Sequence, residues 1–173
     1  GGMVALDWQE RYSKDFVGCV LMNTSARGAG PFWKRVTPKA VLEIGKITIA
    51  GSPEARERIV LNLTSNLERK NKKVLEDWVS FAKERPLHPQ TGLRQVTAAA
   101  AFRARFPAKV PLAFLASKQD KLVKPGCSEE LAKQYSSLIR FHGKAGHDLT
   151  LDDPDWVADQ MSDFAANFLR NAN

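Results

Sequence analysis

The stretch from Val110 to Leu151 constrains the fold more than any other part of the chain. Val110 to Ala116 is a short apolar run with one proline near its start, the pattern of a strand buried on both faces of a parallel sheet. A polar turn, Ser117-Lys118-Gln119-Asp120, leaves it. Pro125 to Tyr135 reads as a helix, with Glu129 and Glu130 in its early turns, where acidic side chains oppose the helix dipole favourably. Leu138 to Phe141 reads as a second short strand, and Gly146-His147 sits on the loop beyond it. An acid after one parallel strand and a histidine after the next fall on the same sheet edge. That edge, at the carboxyl ends of the strands, is where α/β folds place their ligands.

A histidine that works as a base needs a partner to fix its tautomer and stabilise its cation, and an aspartate on a neighbouring loop supplies both. Asp120 and His147 are therefore the candidate catalytic residues. The competing reading is a surface aspartate in a turn and an unrelated loop histidine. The strands on either side of the pair weigh against it. Asp148, next to His147, reads as a helix or loop capping residue. His142 ends a strand and reads as a half-buried structural histidine. His88, between Pro86 and Pro89, reads as a solvated loop residue.

Asp120 in Ser-Lys-Gln-Asp-Lys-Leu-Val and His147 in Ala-Gly-His-Asp, 27 residues apart, resemble the acid and histidine of the α/β-hydrolase family. That family orders its triad nucleophile, acid, histidine along the chain. Its Gly-x-Ser-x-Gly nucleophile elbow occurs nowhere in the sequence. The chain instead opens Gly-Gly-Met-Val-Ala-Leu, which is similar to the end of an elbow and the helix that follows it. A flexible Gly-Gly leader is the alternative for that opening. The resemblance implies that the nucleophile precedes Gly1 by two residues and that none lies within the chain. It implies an α/β fold, the carboxyl-terminal part of an α/β-hydrolase parallel sheet with an inserted helical cap.

The remaining segments fit this frame. Met3, Val4, Leu6 and Trp8 suggest a helix mostly buried on its first two turns. Phe16 to Met22 is seven residues without a charge, a further buried strand, ending at Asn23 and Thr24, which read as loop hydrogen bonders. From 26 to 108 strand signals fade. Helices are expected over Lys39 to Ile47, from Ser52-Pro53-Glu54 to Leu63, along the stripe Val74, Leu75, Trp78, Val79, Phe81 and Ala82, and over Gly92 to Phe106. The expected division is a core of 1–25 with 109–173 and a cap of 26–108. Asp153-Pro154-Asp155 opens a terminal helix whose Val157, Met161, Phe164 and Phe168 should pack on the sheet.

Composition excludes several classes. Apolar residues at 43% and charged residues at 26% of 173 describe an ordinary globular chain of one domain, with room for a subdomain. No apolar run approaches the roughly 20 residues that span a bilayer. Cys19 and Cys127 form no metal or redox motif, and Cys19 reads as a small core residue. Residues 26–108 hold 16 Lys and Arg against 7 Asp and Glu, concentrated in Arg69-Lys70-Asn71-Lys72-Lys73. A solvated helix junction accounts for that run; attraction of an anionic substrate or an acidic carrier protein is the functional alternative. No nucleic-acid recognition motif supports a third.

The resemblance implies hydrolysis of a small-molecule ester or acyl substrate without a metal or organic cofactor, His147 acting as base and then acid and Asp120 orienting it. Epoxide hydrolases and haloalkane dehalogenases share the fold and usually attack with an aspartate, so the reaction stays open. A non-catalytic binding module of the same fold is the alternative from another class. Without its nucleophile and oxyanion donors the chain is expected to be inactive alone, with the strand Phe16 to Met22 left as an open, aggregation-prone edge.

Overall fold

A computed structural model describes residues 1–86 and 88–171. Three parallel strands form one sheet in the order β1-β2-β3: β1 is Cys19–Met22, β2 is Leu112–Ser117 and β3 is Leu138–His142. Every residue of β2 is buried, as its continuous apolar sequence requires. Its alternation divides the core in two. Leu112 and Phe114 pack with Leu21, with Leu6 of helix α1 (Gly2–Arg11) and with Leu131 and Ala132 of a later helix, Gly126–Gln134. Ala113 and Leu115 pack on the opposite face with Leu149, Val157 and Phe164. The molecule is thus layered helix, sheet, helix.

Between β1 and β2 the described residues form five helices: α2 (Phe32–Arg35), α3 (Pro38–Ile49), α4 (Pro53–Thr64), α5 (Lys72–Glu84) and α6 (Pro89–Ala101). Four start on side-chain caps, that of α6 being His88. Thr37 accepts from the N–H of Ala40, Ser52 from that of Ala55, and Asn71 from those of Lys73 and Val74. Prolines at the first positions of α3 and α4 cost nothing, since those N–H groups have no partner inside the helix. After β2 come α7 (Gly126–Gln134), β3, α8 (Leu149–Asp152) and α9 (Pro154–Asn171).

Several boundaries and faces differ from the sequence expectation. α6 begins at Pro89 rather than Gly92, because His88 caps it, its Nδ1 accepting from the N–H of Gln90 at 3.3 Å. It ends at Ala101 rather than Phe106. β1 begins at Cys19, where its N–H first reaches the carbonyl of Pro111; Phe16 instead turns its ring against Trp8 and Gly18 lies under Phe168. A side chain at Gly18 would meet that ring at 2.4 Å. α1 buries Leu6 and Gln9 but leaves Val4 and Trp8 exposed, Trp8 donating to Asp15 instead. On α9, Val157, Phe164 and Phe168 face the sheet while Met161 is exposed, and on α5 Phe81 turns outward. Cys19 and Cys127 are both free thiols. Among the described residues no helix is long and apolar enough to cross a membrane, and β1 pairs with a strand on one side only.

Candidate functional site

β2 runs out at Ser117 into a turn closed by the Asp120 N–H on the Ser117 carbonyl. Asp120 Oδ1 accepts the N–H groups of Leu122 at 2.7 Å and Val123 at 3.0 Å, which fixes the carboxylate within its own turn. The other oxygen, Oδ2, is thereby aimed across the sheet edge at the loop after β3. There it meets His147 Nδ1 at 2.8 Å. The two residues the sequence singled out are therefore together, within hydrogen-bond distance.

A carboxylate oxygen accepts, so His147 Nδ1 donates, which in the neutral imidazole leaves the lone pair on Nε2. Among the described residues Nε2 has no hydrogen-bond partner. The Asp120 side chain is 2% exposed and that of His147 28%, so the acid is sealed while the imidazole reaches solvent. The arrangement has the chemical capacity of an oriented general base.

The loop carrying His147 is held from the third strand as well. Asn23, just past β1, has φ +45°, a left-handed conformation that asparagine tolerates better than most residues. This turns its amide into the edge. Nδ2 donates to the carbonyls of His147 at 2.7 Å and Gly146 at 3.2 Å, and Oδ1 accepts the Ser117 N–H at 2.7 Å. All three strands thus contribute one residue at their carboxyl ends.

The other histidines do different work. His142 is half-buried, its Nδ1 accepting the Ala145 N–H at 2.8 Å and its Nε2 lying 3.1 Å from Asp153. Asp148 caps α8, accepting from Leu151 N–H. His88 is exposed at the head of α6. Two contributors escaped the sequence reading. Asp152 is a buried carboxylate on the same loop system, and Asn66 spans between the loops. No local pattern marks either, because their partners lie far away in sequence.

His147 opens on a cleft of about 1150 Å³. Its walls are the start of α1 at Gly2 and Met3, the end of β1 at Met22, and Ala98, Ala99 and Phe102 around the end of α6. Gly2 belongs where it is: a side chain there would stand 2.4 Å from the Thr24 hydroxyl. Among the described residues no cluster of histidine, cysteine or carboxylate side chains could hold a metal ion.

No protein-family profile and no curated protein sequence matches this chain. Solved structures do. The esterase RhEst1 from Rhodococcus sp. ECU1013 superimposes with a TM-score of 0.71 at 16% identity over 97% of this chain. A meta-cleavage product hydrolase from Pseudomonas fluorescens IP01 gives 0.69 at 16% over 100%, and a thermophilic esterase from Thermogutta terrifontis 0.68 at 16% over 96%.

The fold is the α/β-hydrolase fold. The chain spans 62% of the length of each of these three structures. Among the described residues the parallel sheet carries helices on both faces, with five more between β1 and β2. Asp120 and His147 lie at the carboxyl edge of the sheet, with His147 lining the cleft and Asp120 buried behind it.

Proposed function

We propose that this chain supplies the acid, the histidine and the cap of a hydrolase acting on small-molecule esters or related acyl substrates. The observation that carries the reading is the 2.8 Å contact between Asp120 Oδ2 and His147 Nδ1 at the mouth of the cleft, with Nε2 unengaged. The esterases and the hydrolase that share the fold support the reaction class.

In this reading the nucleophile is a hydroxyl at the turn entering α1, preceding Gly1, across the cleft from His147. Nε2 takes its proton as it attacks the ester carbonyl, and Asp120 stabilises the imidazolium. The same proton then passes to the leaving alcohol. A water molecule repeats the cycle on the acyl-enzyme, with oxyanion donors drawn from backbone N–H groups outside these residues. Residues 26–108 act as the cap, α6 closing one wall of the cleft with its small side chains Ala98 and Ala99.

The test is hydrolysis of p-nitrophenyl acetate by the protein expressed from its whole reading frame, beside His147→Ala. Turnover should fall by about 10⁴-fold or more, with an unchanged circular dichroism spectrum. Equal turnover in a folded variant would sink the proposal. Trapping the intermediate separates reactions: an acylated serine supports the ester reading, and an alkylated aspartate would replace it with an epoxide or haloalkane substrate.

A further inference from the structure

Asp152 ends α8 and is 8% exposed, yet it carries more hydrogen bonds than any side chain at the candidate site. Its Oδ2 accepts the N–H of Gly146 at 2.6 Å and that of Asn66 at 2.9 Å. Its Oδ1 accepts the Ser65 hydroxyl and the N–H groups of Leu67 at 3.2 Å and Glu68 at 3.3 Å. One buried charge therefore gathers the turn between α4 and α5 and ties it to the residue before His147. Burial pushes this carboxyl up, but the hydrogen bonds from Ser65, Asn66, Gly146 and Glu68 outweigh it and hold the group below its ordinary range.

The same turn reaches both loops of the pair. On the histidine side, Thr64 O accepts the Asp148 N–H at 2.8 Å, and the backbone at Gly146 comes so close that a side chain there would stand 2.5 Å from Thr64 O. Both sequence neighbours of His147 are thus pinned to residues 64–68 or to the carboxylate that organises them. On the acid side, Asn66 Nδ2 donates to the carbonyl of Gln119 and to that of Lys144, each at 3.1 Å. Lys121 Nζ lies 3.4 Å from Ser65 O. Gln119 and Lys121 flank Asp120 as Gly146 and Asp148 flank His147.

We propose that Asp152 is a positioning residue for the Asp120–His147 pair, acting through the α4–α5 turn, which buckles the acid loop to the histidine loop. A buried anion suits the task, since charge-assisted hydrogen bonds are short and about twice as strong as neutral ones. Among the described residues the turn is one of two places where the helices between β1 and β2 hold the sheet edge, the other being the start of α3, where the Thr37 N–H donates to the Leu122 carbonyl at 3.1 Å. The inference rests on the hydrolase reading for its kinetic arm, and stands apart from it in its spectroscopic arm.

The test compares wild type, Asp152→Asn and Asn66→Ala. The low-field proton resonance of His147 Nδ1–H, assigned by its loss in His147→Ala, reports the hydrogen bond whether or not the protein turns over substrate. It should broaden or vanish in Asp152→Asn. Where turnover of p-nitrophenyl acetate is present, kcat should fall by about 10- to 100-fold with KM nearly constant, since a misplacement of about 1 Å costs that much. Asn66→Ala, which deletes only a half-exposed amide, should give the same direction with a smaller loss, and decides the matter if Asp152→Asn does not fold. A sharp, unshifted His147 resonance in a folded variant would overturn the proposal. Absent turnover in wild type with a resonance lost in Asp152→Asn would instead remove the hydrolase reading and leave the positioning role.

Discussion

At the sheet edge, Asp120 has both carboxylate oxygens engaged, and the backbone on either side of His147 is bonded to another element. Along α3, Val41, Leu42 and Ile49 stand 57%, 61% and 82% exposed, and only Ala40 is buried. Both regions are well-formed secondary structure, so the difference is not one of local order. It lies in how many distant segments agree on each atom's position. The edge is fixed by β1, β2, β3 and the α4–α5 turn together. The inserted helices are fixed mainly to one another, α4 packing on α3 and α5. The most densely cross-bonded atoms are those that the proposed proton transfer would use. The helices above it carry apolar faces without that constraint.

The sharpest way to break this contrast is at the acid. Under the proposed hydrolysis, Asp120→Asn should cost about 10⁴-fold in kcat, because the amide can support the wrong imidazole tautomer. The measurement is kcat for an activated ester, and a loss below tenfold would show that the edge is not tuned for proton transfer.

Packing gives the next largest effect. Phe164 is fully buried against the sheet, and Phe164→Ala should cost about 3–5 kcal/mol in urea unfolding. Ile49→Ala should stay within about 0.5 kcal/mol, as exposed positions usually do. Comparable losses at the two sites would mean that the α3 face is covered in solution.

Acid stability sharpens the comparison further. The Asp152 carboxyl is held below its ordinary value in the folded state, so it binds its proton less readily there than when unfolded. Its contribution should be fully present above the unfolded value of about 4 and lost as pH falls through the lower folded one. The stability advantage of wild type over Asp152→Asn should accordingly shrink as pH falls below about 4, in denaturant titrations. A gap that widens toward acid would contradict the sign.

The smallest effect belongs to the basic run at the start of α5. Lys73 already lies 2.5 Å from Asp77, so part of that charge is compensated. Reversing Lys70, Lys72 and Lys73 to glutamate should slow association with an anionic acyl substrate by less than about tenfold. The difference should vanish at about 1 M salt, where screening acts within about 3 Å. Salt-independent association in wild type would leave the run as an ordinary solvated helix start.

The sequence alone was enough for whatever is written in neighbouring residues. β2 was visible because burial on both faces demands an unbroken apolar run, and α4 because Ser52-Pro53-Glu54 is a cap, a first-turn proline and a favourable charge in succession. Asp120 and His147 were visible because a turn after each strand leaves a short polar tip. The tertiary structure decided the rest. Whether Val4, Trp8, Phe81 and Met161 face the core depends on which neighbours cover each helix, and periodicity reports only that a face is apolar. Where β1 starts depends on Phe168 claiming the space over Gly18. Asp152 meets Ser65, Asn66, Leu67 and Glu68 across 84 to 87 residues of chain, and Asn23 meets His147 across 124. A hydrogen bond acts over about 3 Å of space and leaves no trace in the residues between its partners, so only the folded chain could bring those groups into view.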